Sequence, residues 1–246
     1  MSNEAGDKKL LGNFRKLIDQ VSADPNYKPS NPTLSKAKLE TQYTTAAAAV
    51  EEVSAKLAPH KLAITDRQTG YDGLPSIVTR SRNLLKASGV SREIVADAET
   101  HVRKIVGRRA TPRPKTAAGT PGTAPETARA THSSAQTSYE NQLGNFGAYL
   151  AVLSNVPAYK PNEPELKLSS LQALSDDLHA KNNNVSSAFA PLVQARGLRD
   201  QLLYLSDDSV VNTALLAKDY VKGALGTNSQ LYKQIKGLTF SRQNKA

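Results

Sequence analysis

Apolar residues recur at steps of three and four near the start of the chain. Leu11, Phe14, Ile18 and Val21 fall on one helical face, and Leu143, Phe146, Leu150 and Leu153 repeat the stripe 132 residues later. The repetition is wider than the stripe. Residues 11–67 align without a gap on 143–199, with 19 of 57 positions identical, among them LGNF at Leu11–Phe14 and Leu143–Phe146. The stretches PNYKPSNP (Pro25–Pro32) and PAYKPNEP (Pro157–Pro164) follow at the same offset. A tandem duplication is the direct reading, and such repeats decide the fold assignment.

Each proline connector ends the first helix, because proline fixes φ and offers no amide donor. Asn162 and Glu165 have capping-box spacing, so a second helix is expected from about residue 165, and by homology from about 33. Leu171, Leu178, Val185 and Leu192 stand at heptad spacing along it, with Leu174 and Phe189 on neighbouring positions and the pattern continuing toward Leu202 and Leu203. About forty residues at 1.5 Å each would reach about 60 Å. The pairs Ala58–Pro59 and Ala190–Pro191 predict a kink or a break at corresponding places.

Beyond Arg67 and Arg199 the register changes, because the first copy inserts about thirteen residues including TGYDGLP at Thr69–Pro75. A third helix then matches by pattern: Val95, Ala98, Val102 and Val106 against Ala214, Ala217, Val221 and Leu225, closed by Gly107 and Gly226 as C-caps. The second copy adds the amphipathic segment SQLYKQIKGLTF. Strand-like alternation is nearly absent, so the expected class is all-α: two homologous three-helix units, short, long and kinked, and medium, forming a pseudo-two-fold helical bundle or two tethered bundles. The expected boundaries are 8–107 for the first unit, 108–138 for a flexible basic linker rich in Thr, Ala, Pro and Gly, and 139–240 for the second unit.

Composition agrees with a helical core of Leu, Val, Ile and Ala: 39% of residues are hydrophobic, Trp is absent and there are four Phe. Without cysteine there are no disulfides and no thiolate chemistry. The N-terminus lacks the apolar run of a secretory signal, and charges interrupt every long helix, so a soluble, cytoplasmic protein without a transmembrane segment is expected. The net charge of +10 is unevenly spread, at +6 over residues 1–110 and +2 each over 111–138 and 139–246.

Phosphate-loop, dinucleotide and nucleophile-elbow signatures are missing, so neither catalytic nor cofactor-binding residues are assigned. Inward acid–histidine pairs can build di-iron sites in bundles. The nearest approaches are Asp176 with His179 and Asp97 with His101, but Thr44 and Ala47 replace the first pair in the other copy, so no metal site is expected. His60 and His132 are isolated. The strongest local signal is the basic cluster Arg103, Lys104, Arg108, Arg109, Arg113 and Lys115, a possible nucleic-acid or anion contact that runs from a helix end into the linker. Complementing the helix dipole is its plainer role. Pro29 with Pro32, and Pro161 with Pro164, form P-x-x-P patterns that read as rigid turns before they read as ligands for an aromatic groove. Tyr27 and Tyr159 are expected to cover helix ends. Arg67 and Arg199 are expected to make packing or carbonyl contacts, an anion site being the lesser alternative.

LGNF, the YKP connectors, YVKGALG at Tyr220–Gly226 and YKQIKGL at Tyr232–Leu238 together resemble bacterial helical proteins with a tandem-duplicated LGNF…YKP…P unit, to which no activity is attached. The resemblance implies the architecture and no mechanism. The expected function is therefore a non-enzymatic structural or protein-interaction bundle that engages a protein partner or assembles with itself, with no cofactor and no small-molecule substrate evident. The alternatives are a basic protein that binds nucleic acid nonspecifically through the linker and, third, a membrane-surface or pore-forming helical protein.

Overall fold

The computed structural model describes residues 4–107 and 137–241, and every regular element among them is helical. The first half of the chain carries α1 (Glu4–Ala23), α2 (Lys36–Asp72), α3 (Leu74–Ala87) and α4 (Arg92–Val106). The second half carries α5 (Tyr139–Ser154), α6 (Leu168–Asp200), α7 (Val210–Ala224) and the short α8 (Gln230–Ile235). The all-α class is as the sequence predicts. The first half, however, holds four helices instead of three. The inserted stretch is a helix of its own, because Leu74, Val78, Ser81 and Leu85 form a buried stripe and Pro75 sits in the first turn, where its missing amide costs nothing.

Corresponding segments keep their bounds. The 3-10 turns Pro32–Leu34 and Pro164–Leu166 precede the long helices, which start at Lys36 and Leu168 rather than directly from the connectors. The expected Asn162 cap does not form. Glu163 flanks that turn without a side-chain cap bond, and Glu165 instead meets Arg80, with Oε1 2.7 Å from Nη2. At the other connector Asn31 does cap, accepting from the Thr33 amide at 3.0 Å. Helix α2 stays helical through Pro59, and α6 through Pro191, so no break occurs at either. Ala55 and Ser187, whose carbonyls lose the proline amide, are both exposed, which lets water replace the missing bond. Gly107 (φ 75) and Gly226 (φ 81) take the left-handed conformation expected where α4 and α7 end.

The compact units do not follow the copies. One comprises Met1–Lys61 with Ser187–Ala246, the other Leu62–Ser186, so α2 and α6 each contribute to both. The first unit is built around Leu11, Phe14, Leu17, Ile18 and Val21 of α1, Leu39 and Ala46 of α2, and Val210, Ala214, Ala217 and Val221 of α7, closed by Leu231 and Ile235 of α8. The second gathers Leu74, Val78 and Leu85 of α3, Ala98, Val102 and Ile105 of α4, Phe146, Leu150 and Leu153 of α5, and Leu171 and Leu178 of α6. The expected linker 108–138 lies outside the described residues except for Thr137 and Ser138, and Ser138 caps α5 by accepting from the Asn141 amide.

Both connectors close on the same bond. The buried Tyr27 hydroxyl donates to the Leu34 carbonyl at 2.9 Å, and Tyr159 to the Leu166 carbonyl at 2.8 Å. Each phenol pins the 3-10 turn to the loop seven residues before it, so the P-x-x-P segments are turns. Lys36 adds a cap at the first connector, its ammonium donating to the carbonyls of Ser22 at 2.9 Å and Asp24 at 3.2 Å. Tyr27→Phe leaves the Leu34 carbonyl without its donor and is expected to cost about 1–3 kcal/mol. Urea unfolding of the variant should show a lower midpoint with an unchanged m-value; an unaltered midpoint would remove the latch from the account.

Candidate functional site

Among the described residues of the first unit, buried charges gather where the start of α1 meets the end of α6. Arg199 is 1% exposed and Asp7 3%. A guanidinium this deep is tolerated only against carboxylates. It has two: Nε and Nη2 donate to Asp200 Oδ1 at 2.9 and 2.6 Å, and Nη1 stands 3.1 Å from Asp7 Oδ2. The contact to Asp7 is an ion pair without hydrogen-bond alignment, since neither of those two atoms has a hydrogen-bonded partner. Asp7 Oδ1 accepts from the Tyr204 hydroxyl at 2.6 Å.

Local sequence explains the placement. The last residues of α6 pass into a π-helical turn, Gln201–Leu205, closed by the Ser206 amide on the Gln201 carbonyl. The wider turn carries Tyr204 toward Asp7, which sits in the first turn of α1, where a carboxylate also suits the helix dipole. Burial, and then the bond to Asp7, push the Tyr204 phenol well above its ordinary range, so it stays a donor.

Beside this cluster is a cleft of about 300 Å³ lined by Gly6, Lys9, Leu10, Asn13, Tyr204 and Thr239. The Asn13 amide already donates to the Thr239 carbonyl at 3.1 Å, so part of the cleft's polar lining holds the C-terminal segment in place.

The second unit answers the charged cluster with hydroxyls. Ser81, fully buried on α3, lies 2.8 Å from both the Tyr149 and Tyr159 hydroxyls, which extends the connector latch into the core. Burial raises both phenols. Arg67, the counterpart of Arg199, sits 4.2 Å from the centre of the Tyr139 ring, and Tyr139 occupies the position corresponding to Asp7. The same arginine position thus meets a carboxylate in one unit and an aromatic face in the other. The packing contact expected of these arginines is made by Arg67, whereas Arg199 meets carboxylates of its own chain in place of a packing or carbonyl contact, which fills the anion alternative from within.

Of the predicted basic cluster, Arg103 and Lys104 lie in the last turn of α4, where they complement the dipole. Arg103 Nη2 is 3.4 Å from Glu99 Oε1, a carboxylate shared with Arg82 at the same distance. Arg108, Arg109, Arg113 and Lys115 lie outside the described residues, as does His132. The pair Asp176 and His179 stays on the helix surface, with His179 Nδ1 3.2 Å from the Asn183 amide and Asp176 accepting from Gln172 at 3.4 Å. In the other pair Asp97 is exposed and His101 half-buried, its Nδ1 buried without a hydrogen-bonded partner. Among the described residues no three metal-ligating side chains cluster. His60 stacks on Phe189, with ring centres 5.2 Å apart.

Sequence reasoning overlooked Asp7, Ser81 and Tyr204. Asp7 is a single acid in a charged N-terminal run, and nothing in its spacing announces a partner 192 positions away.

Arg199→Met strands Asp7 in the core and is expected to cost about 3–5 kcal/mol, while the double change Asp7→Leu with Arg199→Met should recover much of that loss. Thermal unfolding of the two variants checks this, and equal losses would mean the pair does not act as a pair. A second expectation concerns alkali. Tyr27 is pushed up to about 12 by burial, and Tyr71, Tyr149, Tyr159 and Tyr204 are also raised. Above pH about 10 the unfolded chain releases phenolic protons that the folded chain keeps, so stability is full below that pH and falls as pH rises through the folded values. Urea midpoints between pH 8 and 12 should stay level and then drop; a midpoint flat to pH 12 would contradict it. Comparison with family models, with curated proteins and with solved structures finds no match to this chain.

Proposed function

We propose that the protein is a non-enzymatic helical module that engages another protein through the outer face of α6. The supporting observation is a break in the inside–outside pattern of this helix. Leu192, Ala195 and Arg199 turn inward at steps of three and four, where the first two pack with Val53 and Leu57. On other faces Phe189 and Val193 stand one turn apart, each 47% exposed, and Leu198 is 56% exposed. A lone exposed apolar side chain is ordinary, but an aromatic and a β-branched residue in i, i+4 register form the kind of paired anchor that a partner helix covers. The buried polar groups support the same reading, since the charges of the first unit and the hydroxyls of the second are spent on holding helices together.

The expected partner is a protein, and no cofactor or small substrate enters the proposal. No helix among the described residues is long and apolar enough to cross a membrane. The nucleic-acid reading rests mainly on Arg108, Arg109, Arg113 and Lys115, which lie outside the described residues, while Arg103 of the same cluster pairs with Glu99.

Replacing Phe189 and Val193 together by Ser should leave the circular dichroism unchanged and weaken retention of a defined protein partner by at least tenfold, read as Kd with the purified pair. A partner that binds the double variant as tightly as the native chain, or generic DNA bound by both with a steep salt dependence, would overturn the proposal.

A further inference from the structure

The residues on either side of 108–136 lie close together. A methyl group placed on Gly107 would stand 3.4 Å from Thr137 Cγ2, and α4 packs along α5 directly beyond them. Both flanking helices belong to the same compact unit, so the stretch spans no gap between units. Every compact unit, in turn, takes one part from before this stretch and one from after it.

In the first unit α1 rests on α7 and α8, and in the second α5 rests on α4. Helix one of each half is therefore covered by helices of the other half. The polar contacts cross in the same way: Asp7 with Arg199 and Tyr204, Arg67 with Tyr139, Arg80 with Glu165, and Ser81 with Tyr149 and Tyr159. A half by itself would expose the α1 or α5 stripe and strand the buried Asp7 or Arg199 charge and the buried Ser81, Tyr149 and Tyr159 hydroxyls, while the Arg80–Glu165 pair is already exposed.

We infer that residues 1–107 and 137–246 are each other's docking surface, and that the partner each half fits is one further copy of the same helix–connector–helix unit. Joining the two halves in one chain raises their local concentration. The inference stands apart from the proposal for Phe189 and Val193: of the two, Phe189 adds to the crossing contacts only its ring contact with His60.

The experiment cuts the full chain. A site for a sequence-specific protease is inserted after Gly119, the folded protein is digested, and cut and uncut forms are compared by size exclusion and thermal melting. The cut protein should elute as one species of the uncut mass at micromolar concentration, separate into two fragments only in denaturant, and show a Tm that rises with protein concentration while that of the uncut chain stays constant. Two half-mass species under native conditions, or loss of helical signal on cutting, would overturn the inference, as would a concentration-independent Tm. Should the insertion itself disturb the uncut protein, the same cut after Thr123 gives the same reading.

Discussion

An amphipathic helix must hide its apolar face, and in this protein the cover for the first helix of each half comes from the other half. That constraint organises the rest. Because α1 is covered by α7 and α8, the end of α6 has to arrive beside the start of α1, and the charges brought together there must neutralise one another. Because α5 is covered by α4, the inserted helix α3 is free to add a buried serine between two tyrosines. The long helices need pack only lightly in their middles, where Val53, Leu57, Leu192 and Ala195 make a small separate cluster.

Two chemistries solve the same positional problem. At corresponding places an arginine meets Asp7 in one unit and the face of Tyr139 in the other. A buried ion pair gains little net stability against a well-packed apolar alternative, but it penalises misplacement severely. A cation over an aromatic ring is more forgiving in angle. The difference lets matched halves keep one backbone plan while their surfaces and charges diverge.

Much of this was legible in the sequence. The stripes of α1, α5, α4 and α7, the connector turns, the glycine caps and the paired arginines follow from local periodicity and from comparison of the two copies, because each depends on residues within a few turns of one another. What could not be read was which helix covers which. A stripe such as Phe14 with Ile18 states that a cover is required and carries no address for it, so the units at 8–107 and 139–240 are a natural expectation from sequence. The compact units cut across those boundaries. Asp7, Ser81 and Tyr204 were missed for the same reason, since each acquires meaning only from a partner far away in the chain. Phe189 shows the converse, an apolar residue near a heptad seam that the structure leaves largely outside.

The separation between contacting residues bears on how the chain is made. The second unit ends at Ser186, and its hydroxyl chain joins residues 68 and 78 apart, so its last part is synthesised before α7 and α8. The first unit ties Asn13 to Thr239, positions 226 apart, and α1 has to wait with its apolar stripe uncovered until α7 and α8 have been made. Such long loop closures are slow, and an uncovered stripe is what chaperones bind. The exchange of helices thus imposes an order of birth: the unit at 62–186 can close first, and α1, made long before the helices that cover it, is joined to them last.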